Sequence, residues 1–350
     1  MADESLISPK NNPFLVGHQE AEQMFLNAWQ NNSLHNSWLI SGIEGIGKAT
    51  LAYKFARFLL SADENRKSEY ASLDVSPDSS AFRLISQNSH PDLKIIERDY
   101  TETDRKKILK SIKDGEQMSD DELKSLKKSA FIRVDDVRTI NEFMSKRSSN
   151  DGWRIVIIDS IDDMNASSAN AVLKILEEPP HKALMLLISH NLNRLLPTIK
   201  SRCAKLDLKP LSDSNLTSLL RRYRPELAEA KVKKIAAIAS GSIGKALNYV
   251  DNDAAARYDE LCALIGRGSK FTISEVVDFA ASGAADETSY DLSRELILKF
   301  LSENVKTSSK IIEYADCWDN AVKVFSETDR LNLDKKQALL NILVNICKHV

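Results

Sequence analysis

The sequence predicts an α/β fold, in which a parallel β-sheet is flanked by helices, followed by a region that is entirely helical. Three continuous apolar runs, Trp38 to Ile40, Ile155 to Ile158 and Ala183 to Ile188, are typical of strands that are covered on both faces of a sheet. Between the last two runs, Ala166 to Glu178 has helical periodicity and is followed by two prolines, which stop a helix. This order of strand, helix and strand predicts a βαβ unit.

The second half of the chain has a different pattern. After Pro210 no further strand is predicted, and apolar residues recur at helical spacing, as in the core of a helical bundle. A chain of 350 residues is long enough for two or three domains. We expect three, at 1–209, 210–252 and 253–350, with a loop-rich and charged insertion at 61–130 inside the first.

Composition and charge exclude several classes of protein. Hydrophobic residues make up 43% and charged residues 28%, which excludes a mainly disordered chain. The 48 basic and 50 acidic residues give a net charge of -2, which excludes a wholesale polyanion-binding surface like that of a histone but leaves a local basic face open. No apolar run approaches the roughly 18 residues that span a bilayer, and no secretory pattern opens the sequence, so we expect a cytoplasmic protein.

The cysteines predict neither a disulfide framework nor a zinc site. The chain has four, all far apart in sequence, and none is part of a Cys-x-x-Cys or Cys/His spacing that would bind a metal. We therefore predict no metal site of this kind. The cysteines are Cys203, Cys262, Cys317 and Cys347.

A phosphate-binding loop is the strongest local motif. The segment GIEGIGKAT at 42–50 fits the pattern G-x-x-x-x-G-K and lies between a predicted strand and a predicted helix. Gly42, Gly45 and Gly47 allow backbone N–H groups to approach a polyphosphate at the start of the helix. We expect Lys48 to reach the terminal phosphates. The strand and helix on either side make an ordinary turn an unlikely alternative.

Two positions depart from what ATP hydrolysis needs. The residue after the lysine is Ala49, where the motif has Ser or Thr to bind Mg²⁺, and Thr50 lies about 100° further round the helix. The second buried strand ends at Asp159, the usual place of an acid that holds Mg²⁺. The next residue is Ser160, where active ATPases usually have Glu, and Asp162 is expected to cap the following helix. ATP or ADP binding stays open, with a weakened magnesium shell, and we predict that hydrolysis is absent or very slow.

Several segments resemble the delta-prime family of bacterial DNA polymerase III clamp-loader subunits. The most diagnostic combination is AVLKILEEPP followed by SRC, and the resemblance covers roughly residues 13–250. Beyond that range only the helical character matches. The segments are LHNSW at 34–38, GIEGIGKATLAYKFARFLL at 42–60, HPDL at 90–93, VDDVR at 134–138, NAVLKILEEPP at 170–180 and SRC at 201–203.

The resemblance implies an AAA+ module, a helical lid at 210–252 and a collar domain at 253–350 through which subunits form a hetero-oligomeric ring. Its implied partners are the gamma or tau and delta subunits, the sliding clamp and primed DNA, with no membrane. Arg202 of SRC is implied to act in trans, as an arginine finger on ATP that a neighbouring subunit binds. The chain would then be part of a DNA-directed DNA polymerase holoenzyme, a nucleotidyltransferase.

Departures from the family pattern bear on zinc and on nucleotide. Some members have a cysteine cluster between the two nucleotide motifs; this chain has none there, and no zinc is predicted. Motor subunits have a sensor arginine where this chain has Gly244, and Lys245 beside it either reaches a phosphate or is a solvated helix residue.

The main alternative function is an ATP-hydrolysing motor of the gamma or tau type. Such a motor needs the hydroxyl at position 49 and the acid at position 160, and both are absent. A small-molecule kinase needs that hydroxyl too and leaves EEPP and SRC unexplained.

Overall fold

The computed structural model describes most of the chain. The described residues are 8–115, 119, 126–146, 148, 152–267 and 270–349. Part of the predicted insertion, at 116–118 and 120–125, lies outside the described residues.

The chain divides into two compact units. The first comprises Met1–Pro225 and Ser242–Gly244, and the second comprises Glu226–Gly241 and Lys245–Val350. The domain boundaries that the sequence predicts, after residues 209 and 252, stay predictions.

A five-stranded parallel sheet forms the centre of the first unit, in the order β2-β3-β4-β1-β5. It confirms the predicted parallel α/β fold and the three predicted strands, and adds β2 and β5. Sequence analysis missed these two because neither is a continuous apolar run: β2 (LKIIE) is largely half-buried, and β5 (AKLD) alternates apolar and charged residues. The strands are β1 (Ser37–Ser41), β2 (Leu93–Glu97), β3 (Arg154–Asp159), β4 (Ala183–Ser189) and β5 (Ala204–Asp207).

Helices cover both faces of this sheet. Ile155 and Ile157 of β3 belong to one buried cluster, whereas Val156 and Ile158 belong to another. Because successive residues of a strand point to opposite faces, the two clusters lie on opposite sides of the sheet. The helices of this unit are α1 (Gln19–Gln30), α2 (Lys48–Ser61), α3 (Ser80–Ser86), α4 (Glu102–Asp114), α5 (Val134–Ser145), α6 (Ala166–Glu177), α7 (Pro197–Lys200) and α8 (Asp213–Tyr223).

The segment at 61–88, which is part of the predicted loop-rich insertion at 61–130, is not loop throughout. It contains α3, whose first turn is capped by the Ser79 hydroxyl, which accepts a hydrogen bond from the Phe82 N–H at 3.2 Å. Phe82 and Ile85 are buried. The helix was missed because its seven residues are too few to show a helical period.

The described residues of the second unit form helices joined by short connections, with no strand among them, as the sequence predicts. Its predicted apolar stripes form the core, since Leu296, Ile297 and Leu301 are buried with Leu339 and Leu343. Among the described residues, no helix is both long and apolar enough to cross a bilayer. The helices are α9 (Glu229–Ile238), α10 (Ile243–Asp251, in this unit from Lys245 onward), α11 (Ala254–Ile265), α12 (Ile273–Gly283), α13 (Glu287–Thr307), α14 (Ile311–Leu331) and α15 (Lys335–His349).

Candidate functional site

The phosphate loop joins β1 to α2 at the carboxyl edge of the sheet. Its three glycines, Gly42, Gly45 and Gly47, have φ angles of 142°, 76° and 102°. Residues with side chains rarely adopt such angles, so the glycines give the loop its shape. The predicted strand–loop–helix arrangement is therefore confirmed, with α2 beginning at Lys48.

The ammonium of Lys48 is bonded to the loop itself. Its Nζ donates to the carbonyl oxygens of Gly42 at 2.7 Å and of Ile43 at 2.6 Å, and the residue is 3% exposed. Burial lowers the pKa of Lys48 to about 8, although the nearby Asp159 carboxylate opposes that shift. The lysine expected to reach terminal phosphates thus satisfies carbonyl groups of its own loop.

A second segment of the first unit packs directly on the loop. The Gly244 N–H donates to the carbonyl oxygen of Gly45 at 2.9 Å, and the Ser242 hydroxyl donates to the carbonyl of Glu44 at 2.8 Å. A β-carbon on Gly45 would lie 2.4 Å from Ser242 Oγ and 2.9 Å from Gly244 Cα. The residue in place of a sensor arginine is therefore in backbone contact with the loop.

Lys245, the other residue considered for phosphate contact, is ion-paired within the second unit. Its Nζ lies 3.1 Å from Oε1 of Glu295, and the Tyr249 hydroxyl donates to Oε2 of the same carboxylate at 2.9 Å. This arrangement favours the interpretation of Lys245 as a helix-surface residue.

The acid at the end of β3 is partly desolvated. Burial raises the pKa of Asp159 above its ordinary value and outweighs the opposite effects of His190 and Lys48. The next residue, Ser160, is buried and donates from its hydroxyl to the Asp162 carboxylate at 3.0 Å.

These residues do not fit a magnesium–nucleotide complex well. Lys48 is bonded to its own loop. Position 49 is an alanine that packs on the apolar core, and Thr50 is buried in the first turn of α2. Within the described ranges, no group of three or more His, Cys, Asp or Glu side chains is placed to hold a metal ion.

Asp162 has a structural role that the sequence did not indicate. Its carboxylate accepts hydrogen bonds from the Ser189 hydroxyl at 2.8 Å and from the backbone N–H of His190. It therefore ties the end of β3 to the end of β4. The expectation that Asp162 caps the next helix is wrong, because the Asn165 side chain does so by accepting from the Ser168 N–H at 2.9 Å.

Arg202 has a partly exposed guanidinium with two acceptors. Its Nη2 lies 2.8 Å from Oε1 of Glu177, at the end of α6, and its Nη1 donates to the carbonyl oxygen of Thr198 at 3.0 Å. The side chain of Arg202 is 35% exposed and that of Glu177 is 50% exposed. A guanidinium has five N–H donors, so these contacts leave part of its hydrogen-bonding capacity for another oxygen ligand.

Arg202 and the phosphate loop lie at opposite edges of the sheet. β5 begins at Ala204, which pairs with Trp38 near the start of β1, whereas the loop begins just after Ser41. At about 3.3 Å per residue, roughly 13 Å of strand separates the level of Ala204 from the start of the loop. The structure thus brings Lys48 and Asp159 together at the carboxyl edge and places Arg202 at the amino edge.

Sequence reasoning missed the partner of Arg202. Glu177 belongs to EEPP and Arg202 to SRC, and the two motifs meet in space through this ion pair. The signal for this contact in the sequence is the joint occurrence of the two motifs.

Comparisons with known proteins agree with these observations. Residues 17–212 match the profile of a family described as DNA polymerase III, delta subunit. The DNA polymerase III subunit delta-prime of Pseudomonas aeruginosa is 31% identical over 208 residues, which cover 59% of this chain and 53% of that protein. The DNA polymerase III subunit gamma of Buchnera aphidicola subsp. Schizaphis graminum is 23% identical over 248 residues, covering 70% and 58%.

The matches span a little over half the length of these two relatives. A solved DNA polymerase III gamma-subunit-related protein from Thermotoga maritima is 18% identical, with a TM-score of 0.43, covering 93% of this chain and 99% of that one. The family profile matches more than half of this chain, and delta-prime subunits of three bacteria are among its relatives. The chain therefore belongs to the clamp-loader family of DNA polymerase III subunits and is of the delta-prime type.

Proposed function

We propose that this chain is a non-motor stator of a DNA polymerase III clamp loader. In this role it helps to place the sliding clamp on primed DNA during replication, in the cytoplasm, and offers Arg202 in trans to ATP on a neighbouring subunit. The observation that carries the proposal is the position of Arg202, which is partly exposed at the amino edge while its own phosphate loop lies at the carboxyl edge.

The chemistry of the guanidinium suits this role. Its planar fork of N–H donors matches phosphate oxygens, and Lys, a point charge, is a poor substitute. An arginine supplied in trans stabilises charge that develops on the transferred phosphoryl group and contributes about 10³–10⁵ in rate. Arg202 provides this charge, and the neighbouring subunit provides the hydrolytic site.

The non-motor part of the proposal is supported by the carboxyl edge. Lys48 is bonded to loop carbonyls, Gly244 packs on the loop, and Ala49 and Ser160 supply neither the magnesium hydroxyl nor the carboxylate that activates water. The alternative is a motor subunit, because gamma and tau subunits are also relatives of this chain. Robust ATPase activity of the purified chain alone would favour that alternative.

The proposed partners, gamma or tau and delta subunits, would bind through the predicted collar domain at 253–350. On α14, Ile311, Trp318 and Val322 are exposed and lie on one face of the helix, at spacings of seven and four residues. We expect Trp318→Glu to weaken assembly with the other subunits in size-exclusion chromatography, and Asp319→Lys, off this face, to assemble normally. Equal assembly of both variants would contradict this interface.

The proposed role of Arg202 as an arginine finger is tested in a clamp loader reconstituted with the wild-type, Arg202→Ala or Arg202→Lys chain. We expect ATPase stimulated by clamp and primed DNA to fall about 10³-fold or more with Ala, and Lys to restore little of it. Arg194→Ala is the matched control, since Arg194 is an exposed arginine in the same connection between β4 and β5. An unchanged rate with Arg202→Ala, in rings shown to assemble, would refute the proposal.

A further inference from the structure

The ion pair between Arg202 and Glu177 holds the guanidinium at a defined place. Nη2 contacts the Glu177 carboxylate and Nη1 contacts the carbonyl of Thr198, so each terminal nitrogen has its own acceptor. The two acceptors come from different helices, α6 and α7. A side chain held from two elements keeps its orientation better than one held by a single contact.

The position of Glu177 is itself fixed by the chain. The helix α6 ends at Glu177 and is followed, after one residue, by two prolines that cannot continue it. The end of the helix at this point keeps the Glu177 carboxylate in the last turn of α6, at the amino edge of the sheet where Arg202 lies. The neighbouring Glu178 is also exposed, but its described contact is through its backbone N–H, to the Lys174 carbonyl.

The ion pair between Arg202 and Glu177 contributes little to the stability of the fold. The Glu177 side chain is half exposed, and ion pairs between exposed groups contribute little to folding. An arginine has many rotamers, however, and fixing them before a ligand arrives reduces the entropy lost when the guanidinium binds it. An ion pair that adds little stability therefore reduces the entropy that Arg202 would lose on binding a phosphoryl oxygen.

We propose that Glu177 is the positioning residue of Arg202 and holds its guanidinium in the orientation in which the arginine acts in trans. This inference rests on the proposed function of Arg202. It also gives a physical reason for the joint occurrence of EEPP and SRC, because the first motif supplies the acceptor for the arginine of the second.

The test uses the reconstituted loader with clamp and primed DNA. We expect Glu177→Ala to lower the stimulated kcat about 3- to 10-fold, with the KM for ATP unchanged, because only the transition-state contact is impaired. Glu177→Gln keeps a hydrogen-bond acceptor and should restore part of the loss. Glu178→Ala removes the same charge from the adjacent position and should stay within about twofold of wild type.

A double-variant cycle separates positioning from a structural role. If Glu177 acts through Arg202, Glu177→Ala should cause no further loss when Arg202 is already Ala. A further loss in that background would overturn the inference, and so would a rise in rate on Glu177→Ala alone. If Arg202→Ala is severe while Glu177→Ala behaves like Glu178→Ala, the finger stands and the positioning role is refuted. If Arg202→Ala has no effect, the proposed function itself fails.

Discussion

The cationic side chains at the two edges of the sheet, Lys48 and Arg202, differ in their exposure and in their hydrogen-bond partners. At the carboxyl edge, Lys48 is buried and bonded to two carbonyls of its own loop. At the amino edge, Arg202 is about one-third exposed and has one carboxylate and one carbonyl as acceptors. Lys48 is buried with two of its three N–H donors bonded inside the chain, whereas the guanidinium of Arg202 is partly exposed and keeps donors for a ligand outside.

On the proposed function, this difference separates the phosphate-loop motif from the ATP hydrolysis with which the motif is associated. The phosphate loop keeps its glycines, its lysine and its place between strand and helix. The Gly244 N–H and the Ser242 hydroxyl nevertheless bond to two carbonyl oxygens of this loop, those of Gly45 and Glu44. Arg202 belongs to a motif of only three residues, yet its side chain is 35% exposed, whereas Lys48 is 3% exposed.

The largest expected effect on stability concerns the close packing of Ser242 and Gly244 on Gly45 of the loop. We expect Gly45→Ala to lower the free energy of unfolding by about 2–4 kcal/mol, because the new β-carbon meets Ser242 Oγ and Gly244 Cα on a strained backbone. Urea unfolding followed by circular dichroism measures this change.

Gly115→Ala is the matched control for that variant. Gly115 has a similar φ angle of 70°, but a β-carbon there meets nothing within 4 Å. Its replacement should therefore show the backbone strain alone, about 1 kcal/mol. Equal losses for the two variants would mean that Gly244 does not pack on the loop as described.

A smaller effect of opposite sign is expected at Asp159. Burial raises the pKa of its carboxyl, so the charged form is disfavoured in the folded chain. Stability is therefore lost as pH rises from the unfolded-state value, about 3.9, through the raised folded value. We expect Asp159→Asn to raise the free energy of unfolding at pH 7 on the order of 1 kcal/mol.

The pH dependence is what checks this prediction. As pH falls through the raised folded value and then below the unfolded value of about 3.9, the wild-type carboxyl becomes protonated in both states, so the difference between wild type and Asp159→Asn should shrink towards zero. A difference that is the same at pH 4 and pH 7, in urea unfolding, would show that ionisation of Asp159 is not its cause.

The smallest effect is expected at the amino edge. Glu177→Gln and Glu178→Gln should each change the free energy of unfolding by less than about 0.5 kcal/mol, because an exposed ion pair is worth little. Differential scanning calorimetry of both variants tests this. A loss well above 1 kcal/mol for Glu177→Gln alone would make the pair a stabilising contact and weaken its interpretation as a positioning device.

Sequence patterns predicted the fold where the pattern is continuous. The runs at Ile155 to Ile158 and Ala183 to Ile188 are buried on both faces and were identified, whereas β5, in which Lys205 alternates with apolar residues, was not. Strand β2 was missed for a similar reason, because only Ile96 is fully buried there.

The residues of the candidate site could be predicted from sequence motifs, but their side-chain contacts could not. The sequence identified the loop, Lys48, Asp159 and Arg202. It did not indicate that Lys48 bonds its own loop, because that depends on the local backbone shape. It also missed the pairing of Glu177 with Arg202, residues 25 positions apart that meet only when α6 and α7 pack at the amino edge.

The most direct test of the contrast between the two edges replaces either Lys48 or Arg202 by alanine in the same assembly. Loaders are reconstituted with Lys48→Ala or Arg202→Ala chain, and ATPase is measured with clamp and primed DNA in rings shown to be complete. We predict a rate within about twofold of wild type for Lys48→Ala and a loss of about 10³-fold or more for Arg202→Ala. The reverse pattern, loss with Lys48→Ala and retention with Arg202→Ala, would make this chain a motor and contradict the account.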